Sequence, residues 1–308
     1  MDLRQLEYFV RIAEAGSFSA AAVRMRISQP ALSRQMRLLE AELGRMLFER
    51  HGRGVRLTEA GIALLNRATY YLRQIGQIRD ELTAAAEEPA GELSVAVFPS
   101  LRDMLTVDTA VEFRTLYPGV VLRLFEETTR TIREGLLEGR YEIGLLSGHE
   151  VSQAVTFEPL ASEAIVLAGP PESGLVWERG VSPAEFAAYP LIVSAIPPNY
   201  LVGIDRMMAE AGLRTNVAIE VNSLIVTDLI ARGQGYGVLP YCAVHAPLRR
   251  GLVRATPIRN LCVSWVIASL RERRLSVAAR RFRELMQARR QSRIAAGDWP
   301  TAGECEVD

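Results

Sequence analysis

The fold is decided by a stretch near the amino terminus, Ser17-Phe18-Ser19-Ala20-Ala21-Ala22, and by the run that follows it, Ile27-Ser28-Gln29-Pro30-Ala31-Leu32-Ser33-Arg34-Gln35. The pattern predicts two short helices joined by a tight turn. Ser28 is a good cap for the second of them, and Pro30 falls in its first turn, where the missing N–H costs nothing. Such a pair can place its second helix in the major groove of DNA.

A further helix is predicted before this pair. Leu3, Leu6 and Phe9 fall at helical spacing, and Gly16 ends the pattern. We expect Ser19 to cap the next helix, which runs from Ala20 to about Arg24. In the third helix the predicted inward face is Leu32, Met36, Leu39 and Leu43, and the predicted outward faces carry Gln29, Ser33, Arg34 and Arg37.

The segment from Leu47 to Thr58 predicts a β-hairpin, because two short extended pieces flank a turn that contains glycine. Its arginines, Arg50, Arg53 and Arg56, lie on or near the predicted tip. Basic residues on such a wing suit contact with phosphates or with the minor groove.

Bulk composition gives no indication of nucleic-acid binding. The 308 residues include 36 basic and 36 acidic ones, so any basic surface has to be local. Residues 1–60 carry ten arginines against seven acidic residues, which is a mild local excess. All the basic residues are arginine, so each basic contact with a phosphate would be made by a planar, permanently charged group.

The amino-terminal residues resemble those of the LysR-type transcriptional regulators. The match is dense and ungapped and starts at the expected place, whereas a bare helix-turn-helix pattern would be weak by itself. The residues that carry it are Leu6, Phe9, Ala13, Gly16, Ser17, Phe18, Ala21, Ala22, Ser28 to Ser33, Leu38 to Glu40, Leu43, Gly44, Leu47, Phe48, Arg50, Leu57, Thr58, Ala60 and Gly61. The resemblance implies a regulator that binds DNA sequence-specifically.

By this resemblance, the third helix reads base edges in the major groove. Gln29 and Ser33 would contact bases, Pro30 could touch a thymine methyl, and Arg34 would contact a guanine edge or a phosphate. The alternative for each arginine is a solvated surface charge, and for Gln29 an ordinary position at a helix start. The predicted DNA-binding set is Ser28, Gln29, Pro30, Ser33, Arg34, Arg37, Arg50, Arg53 and Arg56.

A long helix is predicted over residues 59–88, after a DNA-binding domain at 1–58. Apolar or small residues recur at alternating spacings of four and three, a heptad pattern typical of paired helices. They are Leu57, Gly61, Leu64, Ala68, Tyr71, Ile75, Ile78 and Leu82. The pattern favours a dimer with a second copy, as does the family's linker helix, which is a dimerisation element. The alternative is that the apolar stripe packs on its own domain.

From residue 92 onwards strands alternate with helices, which predicts an α/β fold with parallel strands and right-handed crossovers. The predicted strands are 93–97, 120–125, 142–146, 164–168, 191–194, 218–221, 237–239 and 263–269, and the predicted helices are 100–116, 129–138, 183–188, 200–211, 224–231 and 276–290. The resemblance implies an effector-binding domain like the periplasmic binding proteins. Its subdomain I would be 92–162 plus 267–292 and its subdomain II 163–266, with a loosely attached tail at 293–308.

In the family, effectors lie in the cleft between the subdomains, and ligands of open α/β sheets generally sit beyond the carboxyl ends of strands. Helix starts there offer free N–H groups to a carboxylate or phosphate. The candidate residues are Pro99, Ser100, Thr128, Thr129, Ser147, Ser194, Pro197, Asn199, Asn222 and Ser223. Ser100, Thr129 and Ser223 are also ordinary helix caps, which would account for them without a ligand.

The candidate effector site departs from the family at Ser147, where members that bind aromatic acids often carry arginine. Either the effector is small and held by hydroxyls and backbone N–H groups, or no effector is used. Arg102, Arg130 and His149 lie nearby and could supply charge, although surface positions are the simpler interpretation. Gln5 to Val10 and Asp298-Trp299 add a weak resemblance to the nitrogen-assimilation branch.

Other classes of function find little support. The run from Gly233 to Gly237 follows a helix and enters a strand, the reverse of a dinucleotide fingerprint, so an enzyme is not expected. The cysteines lack metal-ligand spacing, so no metal is expected. No cofactor is expected either. No signal peptide or membrane-length apolar run is visible, which favours a cytoplasmic protein over a secreted solute-binding protein. The expected partners are double-stranded DNA, a small molecule, RNA polymerase and further copies of the chain, in a dimer and then a tetramer.

Overall fold

The computed structural model describes residues 1–52, 54–83, 89–148, 152–194, 201–221 and 225–300. The chain divides into two compact units. The first unit contains residues 1–88 and 137–140, and the second contains residues 89–136 and 141–308. No helix in the described ranges is both long and apolar enough to cross a membrane.

The first unit opens with three helices, which are α1 (Leu3–Ala15), α2 (Phe18–Met25) and α3 (Gln29–Leu43). Gly16 ends α1 in a left-handed conformation with φ of 62°, as predicted. Ser17 caps α2, because its Oγ accepts a hydrogen bond from the N–H of Ala20 at 3.4 Å. The prediction that Ser19 is the cap is wrong: Ser17 has the extended backbone of a cap, and Ser19 already lies in the first turn.

The inward face of α3 is confirmed for most of its length. Leu32, Met36 and Leu39 are buried in the core of the unit. Leu43, predicted to lie on the same face, is 39% exposed. That prediction is wrong because α3 ends at Leu43, where Gly44 adopts a left-handed conformation and turns the chain away.

The predicted hairpin is confirmed as strands β1 (Phe48–His51) and β2 (Gly54–Leu57), which pair antiparallel. Two sets of contacts fix it to the helices. The Glu40 carboxylate accepts hydrogen bonds from the N–H groups of Leu47 and Phe48 at 2.8 and 3.3 Å. The N–H of Val55 donates to the carbonyl of Gly16 at 2.9 Å. The wing is therefore held against α3 and the end of α1.

Helix α4 (Glu59–Thr83) follows the wing, and Thr58 Oγ1 accepts a hydrogen bond from the N–H of Gly61 at 3.0 Å. The first half of the predicted heptad pattern packs on the unit's own core, as Ala68 is buried there and Leu64 packs beside it. A Cβ on Gly61 would lie 2.2 Å from the carbonyl oxygen of Leu47, so this position serves close packing within the unit. The alternative interpretation therefore holds for this half; the side chains of Ile78 and Leu82 lie outside the described residues.

The second unit is built on a sheet with the order β4-β3-β5-β10-β6-β9-β7-β8. Its strands are β3 (Gly91–Val97), β4 (Val120–Glu126), β5 (Ile143–Ser147), β6 (Val155–Gly169), β7 (Pro190–Ser194), β8 (Asn216–Val221), β9 (Tyr236–Pro240) and β10 (Arg254–Leu270). β3 runs parallel to β4 and β5, and β7 runs parallel to β8 and β9, as predicted. β6 and β10 run antiparallel to each other and to their neighbours.

β6 and β10 are much longer than the predicted strands at 164–168 and 263–269. They pair with each other along their length and connect the two groups of parallel strands. Polar residues such as Glu158 and Asn260 interrupt their apolar pattern, which concealed their true extent. The division into two subdomains at the predicted boundaries remains a prediction.

The helices of this unit are α5 (Val107–Leu116), α6 (Thr129–Leu137), α7 (Pro183–Ala188), α8 (Leu201–Glu210), α9 (Val226–Ala231), α10 (Tyr241–Arg249) and α11 (Val277–Ala295). A 3-10 turn at Pro99–Leu101 and a π-helical turn at Arg102–Thr106 precede α5. α10 was not predicted, and it contains Pro247, a residue that normally argues against a helix.

The prediction of a loosely attached tail from Arg293 is wrong for the described residues. Arg293 still lies in α11, and Trp299 beyond it is fully buried. The reason is that the indole of Trp299 finds a buried hydrogen-bond acceptor on β6, which the local sequence does not reveal.

Candidate functional site

The outer face of α3 collects the residues predicted to read DNA. Ser28 caps the helix through a hydrogen bond from the N–H of Ala31 to its Oγ at 3.4 Å. Gln29, Pro30, Arg34 and Arg37 are exposed. Ser33 is half-buried and its Oγ accepts a hydrogen bond from Gln29 Nε2 at 3.0 Å. The helix thus presents a continuous polar face opposite a buried one.

The charges on this face are free to meet a ligand. Neither Arg34 nor Arg37 forms an ion pair with any described residue. By contrast, Arg11 on α1 is paired with Glu14 at 2.9 Å. An unpaired, exposed guanidinium can bond a phosphate or the edge of a guanine without first breaking an ion pair.

The structure describes the side chain of only one of the three wing arginines, Arg56. Arg56 is exposed on β2, directly opposite Glu49 of β1. The register thus places an acidic residue across the hairpin from Arg56. Arg53 and the side chain of Arg50 lie outside the described residues, so their proposed DNA contacts remain predictions.

In the second unit, the carboxyl ends of β3, β4 and β5 meet at one edge of the sheet, because the three strands are parallel neighbours. Thr129, after β4, and Ser147, at the end of β5, have hydroxyl oxygens 2.9 Å apart. The N–H of Ser147 also points at Thr129 Oγ1, at 3.4 Å. Pro99 and Ser100 follow β3, the central strand of the three. We call this group, Pro99, Ser100, Thr128, Thr129 and Ser147, the strand-edge site.

Two of the predicted helix caps are wrong. Thr128, not Thr129, caps α6, since its Oγ1 accepts from the N–H of Thr131 at 3.3 Å. Ser100 lies inside the 3-10 turn and does not cap it. The cap position is Phe98, which forms no side-chain cap hydrogen bond. Neither Thr129 nor Ser100 is therefore explained by helix capping. Ser223, the third predicted cap, lies outside the described residues.

The arginines that could have supplied charge near Ser147 are engaged elsewhere. Arg102 forms a hydrogen bond from Nε to Glu126 at 2.6 Å, and the pKa of its guanidinium is raised by that bond. Arg130 pairs with Glu134 at 2.9 Å on the exposed side of α6. Both are surface ion pairs, as the simpler interpretation held. His149 lies outside the described residues.

The other half of the predicted ligand site is less defined. Ser194 ends β7, which is parallel to β8 and β9, so it occupies the carboxyl end of its strand group. Pro197, Asn199, Asn222 and Ser223 lie outside the described residues. Their assignment to the effector site stays a prediction.

A buried carboxylate in the second unit, Glu163, is not among the residues predicted from the sequence. Glu163 on β6 is fully buried and accepts hydrogen bonds from Trp265 Nε1 at 2.7 Å, Trp299 Nε1 at 2.7 Å and the N–H of Cys242 at 3.0 Å. Burial raises its pKa to about 7, and the hydrogen bonds hold it from rising further. We call these four residues the Glu163 cluster; they join β6, β10, the start of α10 and the segment after α11.

A weak signal of this cluster exists in the sequence. Glu163 stands directly before the apolar run Ala164 to Ala168, where a carboxylate is out of place on a buried strand. Nothing in the sequence indicates which distant groups would satisfy it. A buried charge needs partners, but their identity depends on the tertiary fold.

A winged helix-turn-helix with a free cationic face, joined in sequence by a long helix to an α/β unit with hydroxyls at its strand ends, defines a ligand-controlled DNA-binding protein. Two family descriptions match the chain. Residues 3–62 match "Bacterial regulatory helix-turn-helix protein, lysR family", and residues 86–291 match "LysR substrate binding domain". The chain belongs to the LysR family of bacterial transcriptional regulators.

Individual relatives agree with this family. AlsR, an HTH-type transcriptional regulator of Bacillus subtilis strain 168, is 31% identical over 271 residues, which cover 87% of this chain and 90% of that protein. TcbR of Pseudomonas sp. strain P51 is 40% identical over 170 residues, which cover 54% of this chain and 57% of TcbR. A nitrogen assimilation regulatory protein of Escherichia coli strain K12 is also a relative. These relatives are transcriptional regulators and not enzymes, which confirms the prediction that the chain is a regulator and not an enzyme.

A solved structure extends the similarity to the whole fold. Full-length CbnR, a LysR family regulator solved with its target DNA, is 27% identical and has a TM-score of 0.68. The match covers 94% of this chain and all of that one. The protein is thus a DNA-binding transcriptional regulator with a LysR substrate binding domain of the periplasmic-binding-protein type.

Proposed function

We propose that the outer face of α3 reads base pairs in the major groove, with Gln29 and Arg34 as the principal readers. The observation that carries this proposal is a continuous exposed polar face on a helix whose other face is buried. A glutamine amide can bond an adenine edge at two points, and a guanidinium matches a guanine edge. The bond to Ser33 uses one amide hydrogen of Gln29 and leaves its oxygen and second hydrogen for a base.

The remaining predicted contacts position the protein on the duplex. Ser28 and Pro30 stand at the amino end of α3, where a phosphate or a thymine methyl would approach. Arg37 is assigned to a phosphate, as are the wing arginines Arg50, Arg53 and Arg56, for which the minor groove is the neighbouring alternative.

The test compares Arg34→Ala with Arg11→Ala in binding to an operator duplex at several salt concentrations. Arg34→Ala should weaken binding by about 1–3 kcal/mol. Arg11→Ala is the matched control, because it removes an arginine from the same unit but from a different helix. Affinity that is unchanged in Arg34→Ala, or binding that is insensitive to salt, would contradict the proposal.

We also propose that the chain forms a dimer through α4 and a tetramer through the α/β unit. α4 is 25 residues long, and Ile62 and Tyr71 on it are exposed apolar residues. In the second unit β4 is an edge strand that exposes Val121 and Phe125. Exposed apolar residues on an edge strand favour association with another chain.

Sedimentation of the full chain tests the two contacts separately. Val121→Glu should reduce a tetramer to dimers, and Tyr71→Glu should weaken the dimer. Val202→Glu, at an exposed apolar position on α8, is the control. A monomeric wild-type chain would contradict both contacts.

The strand-edge site is our proposed position for part of the effector, with Ser194, Pro197, Asn199, Asn222 and Ser223 on the opposite side. What supports it is the pair Thr129 and Ser147, whose hydroxyls meet beyond parallel strands although neither caps a helix. With the nearby arginines ion-paired, this site suits a small ligand held by hydroxyls and N–H groups. Ser147→Ala and Thr129→Val should abolish the ligand response of DNA binding and spare DNA binding itself, whereas Thr129→Ser should retain the response.

Two further partners and the location follow from regulation of transcription. We propose that RNA polymerase is contacted on DNA, which transcription in vitro from an operator-containing promoter tests. Because bacterial DNA lies in the cytoplasm, we place the protein there, and cell fractionation tests this.

A further inference from the structure

We propose that a cavity beside β6 and β10, separate from the strand-edge site, binds a small carboxylic acid with an apolar body. The cavity has a volume of about 520 Å³, within the usual range for small-molecule pockets. Its walls come from β6 and β10, from the segments next to them and from α11. The residues on which the argument depends are Phe157, Ser162, Ser264, Val266, Arg271 and Arg290.

Strand register places polar and apolar groups side by side in this cavity. Ser162 lies directly opposite Ser264 on the paired strands. Val266 is two residues beyond Ser264 on β10 and therefore faces the same side of the sheet. The floor thus carries two hydroxyls next to an apolar surface, with the ring of Phe157 further along β6.

Two polar atoms of the cavity residues are buried without a partner. Neither Ser162 Oγ nor Arg290 Nε has a hydrogen bond among the described residues. Leaving such a group unsatisfied in the folded protein is costly, and more so when the group is charged. A ligand that accepts hydrogen bonds from both groups would recover that cost.

The charge of the cavity favours an anion. On the same helix, Arg289 pairs with Glu112 at 2.5 Å and Arg293 with Asp108 at 2.7 Å. Arg290 has no such acid among the residues that the structure describes, and neither has Arg271, which also lines the cavity. The described cavity lining contains no Asp or Glu.

A carboxylate fits this arrangement better than a neutral group. Its oxygens can accept from a guanidinium at two points and from a serine hydroxyl, and such charge-assisted bonds are the stronger ones. An apolar body would contact Phe157 and Val266. The cavity shares no residue with the strand-edge site, although Trp265 in its wall lies opposite Ser147 in register.

The experiment titrates 4-fluorophenylacetate into the full-length chain and follows the fluorine NMR signal. We expect saturable binding, and binding of the neutral 4-fluorophenylacetamide about tenfold weaker or less. Arg290→Ala should weaken binding of the acid about tenfold or more, since a hydrogen bond to a charged group contributes about 1.5–3 kcal/mol. Arg281→Ala, an exposed and ion-paired position on the same helix, should leave it unchanged.

Two more variants keep the test decisive. If Arg290→Ala shifts the unfolding midpoint, Arg271→Ala removes the second arginine of the cavity lining, which is exposed, and should weaken binding severalfold. Val266→Phe, which fills the cavity from its floor, should also weaken binding. The proposal is overturned by absent binding, by equal binding of acid and amide, or by binding that Ser147→Ala abolishes and Arg290→Ala does not. That last result would place the acid at the strand-edge site, so the two proposals can fail separately.

Discussion

The outer face of α3 and the Glu163 cluster are both polar groupings, but the chain assembles them in opposite ways. All the candidate DNA-reading residues of α3 lie between Ser28 and Arg37, on one helix. Glu163 instead meets Cys242, Trp265 and Trp299, which are 79, 102 and 136 residues away along the chain. The polar groups on α3 face solvent and are available to a partner. The carboxylate of Glu163 is already hydrogen-bonded within the chain.

Because of this difference, substitutions in the two groupings should affect different properties, DNA binding in the first and stability in the second. Substitutions on α3 remove groups that face solvent, so they should change DNA binding more than folding. Substitutions in the Glu163 cluster leave buried donors or acceptors unpaired, so they should change the free energy of unfolding of the second unit.

The largest effect is expected at Trp299. Trp299→Ala should lower the free energy of unfolding of the second unit by about 3–5 kcal/mol, as is usual for a large buried aromatic residue. Trp299→Phe keeps most of the ring but loses the N–H donor, and should cost less. Urea unfolding of both variants measures this. Wild-type stability in Trp299→Ala would mean that the segment after α11 is loosely attached after all.

The Glu163 cluster also predicts a dependence of stability on pH. The unfolded carboxyl loses its proton near its ordinary pKa of 4.5, and the folded one near 7. Between these values the unfolded state binds fewer protons, so the free energy of unfolding should fall as pH rises and then level off above 7. The fall is about 1.4 kcal/mol for each unit between the two pKa values, hence about 3 kcal/mol at most.

Glu163→Gln isolates this dependence, because glutamine does not titrate. The difference in unfolding free energy between wild type and Glu163→Gln should vary across this pH interval and stay constant above it. A difference that is constant at every pH would show that the pKa of Glu163 is the same in the folded and unfolded chain, and would contradict the raised pKa.

A smaller effect on the first unit is expected at Gly61. Gly61→Ala places a Cβ against the Leu47 carbonyl and should cost about 1–3 kcal/mol, because backbone cannot move aside easily. Gly76→Ala on the same helix has open space and should be neutral or stabilise by up to about 1 kcal/mol. Denaturant unfolding compares them; equal effects would argue against close packing of α4 on the wing.

The smallest effect on stability is expected at Ser28, where substitutions can distinguish capping of α3 from contact with DNA. Ser28→Ala should lower stability by about 1 kcal/mol through loss of the cap, and Ser28→Asn should restore it. If Ser28 also contacts DNA, Ser28→Asn will fold normally and still bind the operator more weakly. Normal affinity in Ser28→Asn would limit the role of Ser28 to capping.

Features that depend on residues close together in the sequence could be predicted, and features that depend on distant residues could not. The caps and turns of the first unit depend on residues a few positions apart, so Gly16, Ser28 and Pro30 could be assigned directly. The predicted cap of α2, Ser19, lies two residues after the observed cap, because Ser17 and Ser19 are equally good caps in sequence. The parallel strand groups were visible as apolar runs.

The rest depends on contacts between distant segments. The full length of β6 and β10 is set by their pairing with each other, and the burial of Trp299 by an acceptor on β6. The meeting of Thr129 with Ser147 requires two neighbouring parallel strands. A pattern in a short stretch of sequence cannot predict these contacts, because the residues that form them are far apart along the chain.

The central claim is that side chains on the outer face of α3 choose the DNA sequence, and selection of bound sequences from randomised duplexes tests it most directly. Wild type and Arg11→Ala should enrich one and the same pair of half-sites. Gln29→Ala should lose the preference at one base of each half-site, and Arg34→Ala should lose affinity or a second preference. Identical sequences enriched by all four proteins, with equal affinity, would contradict the account.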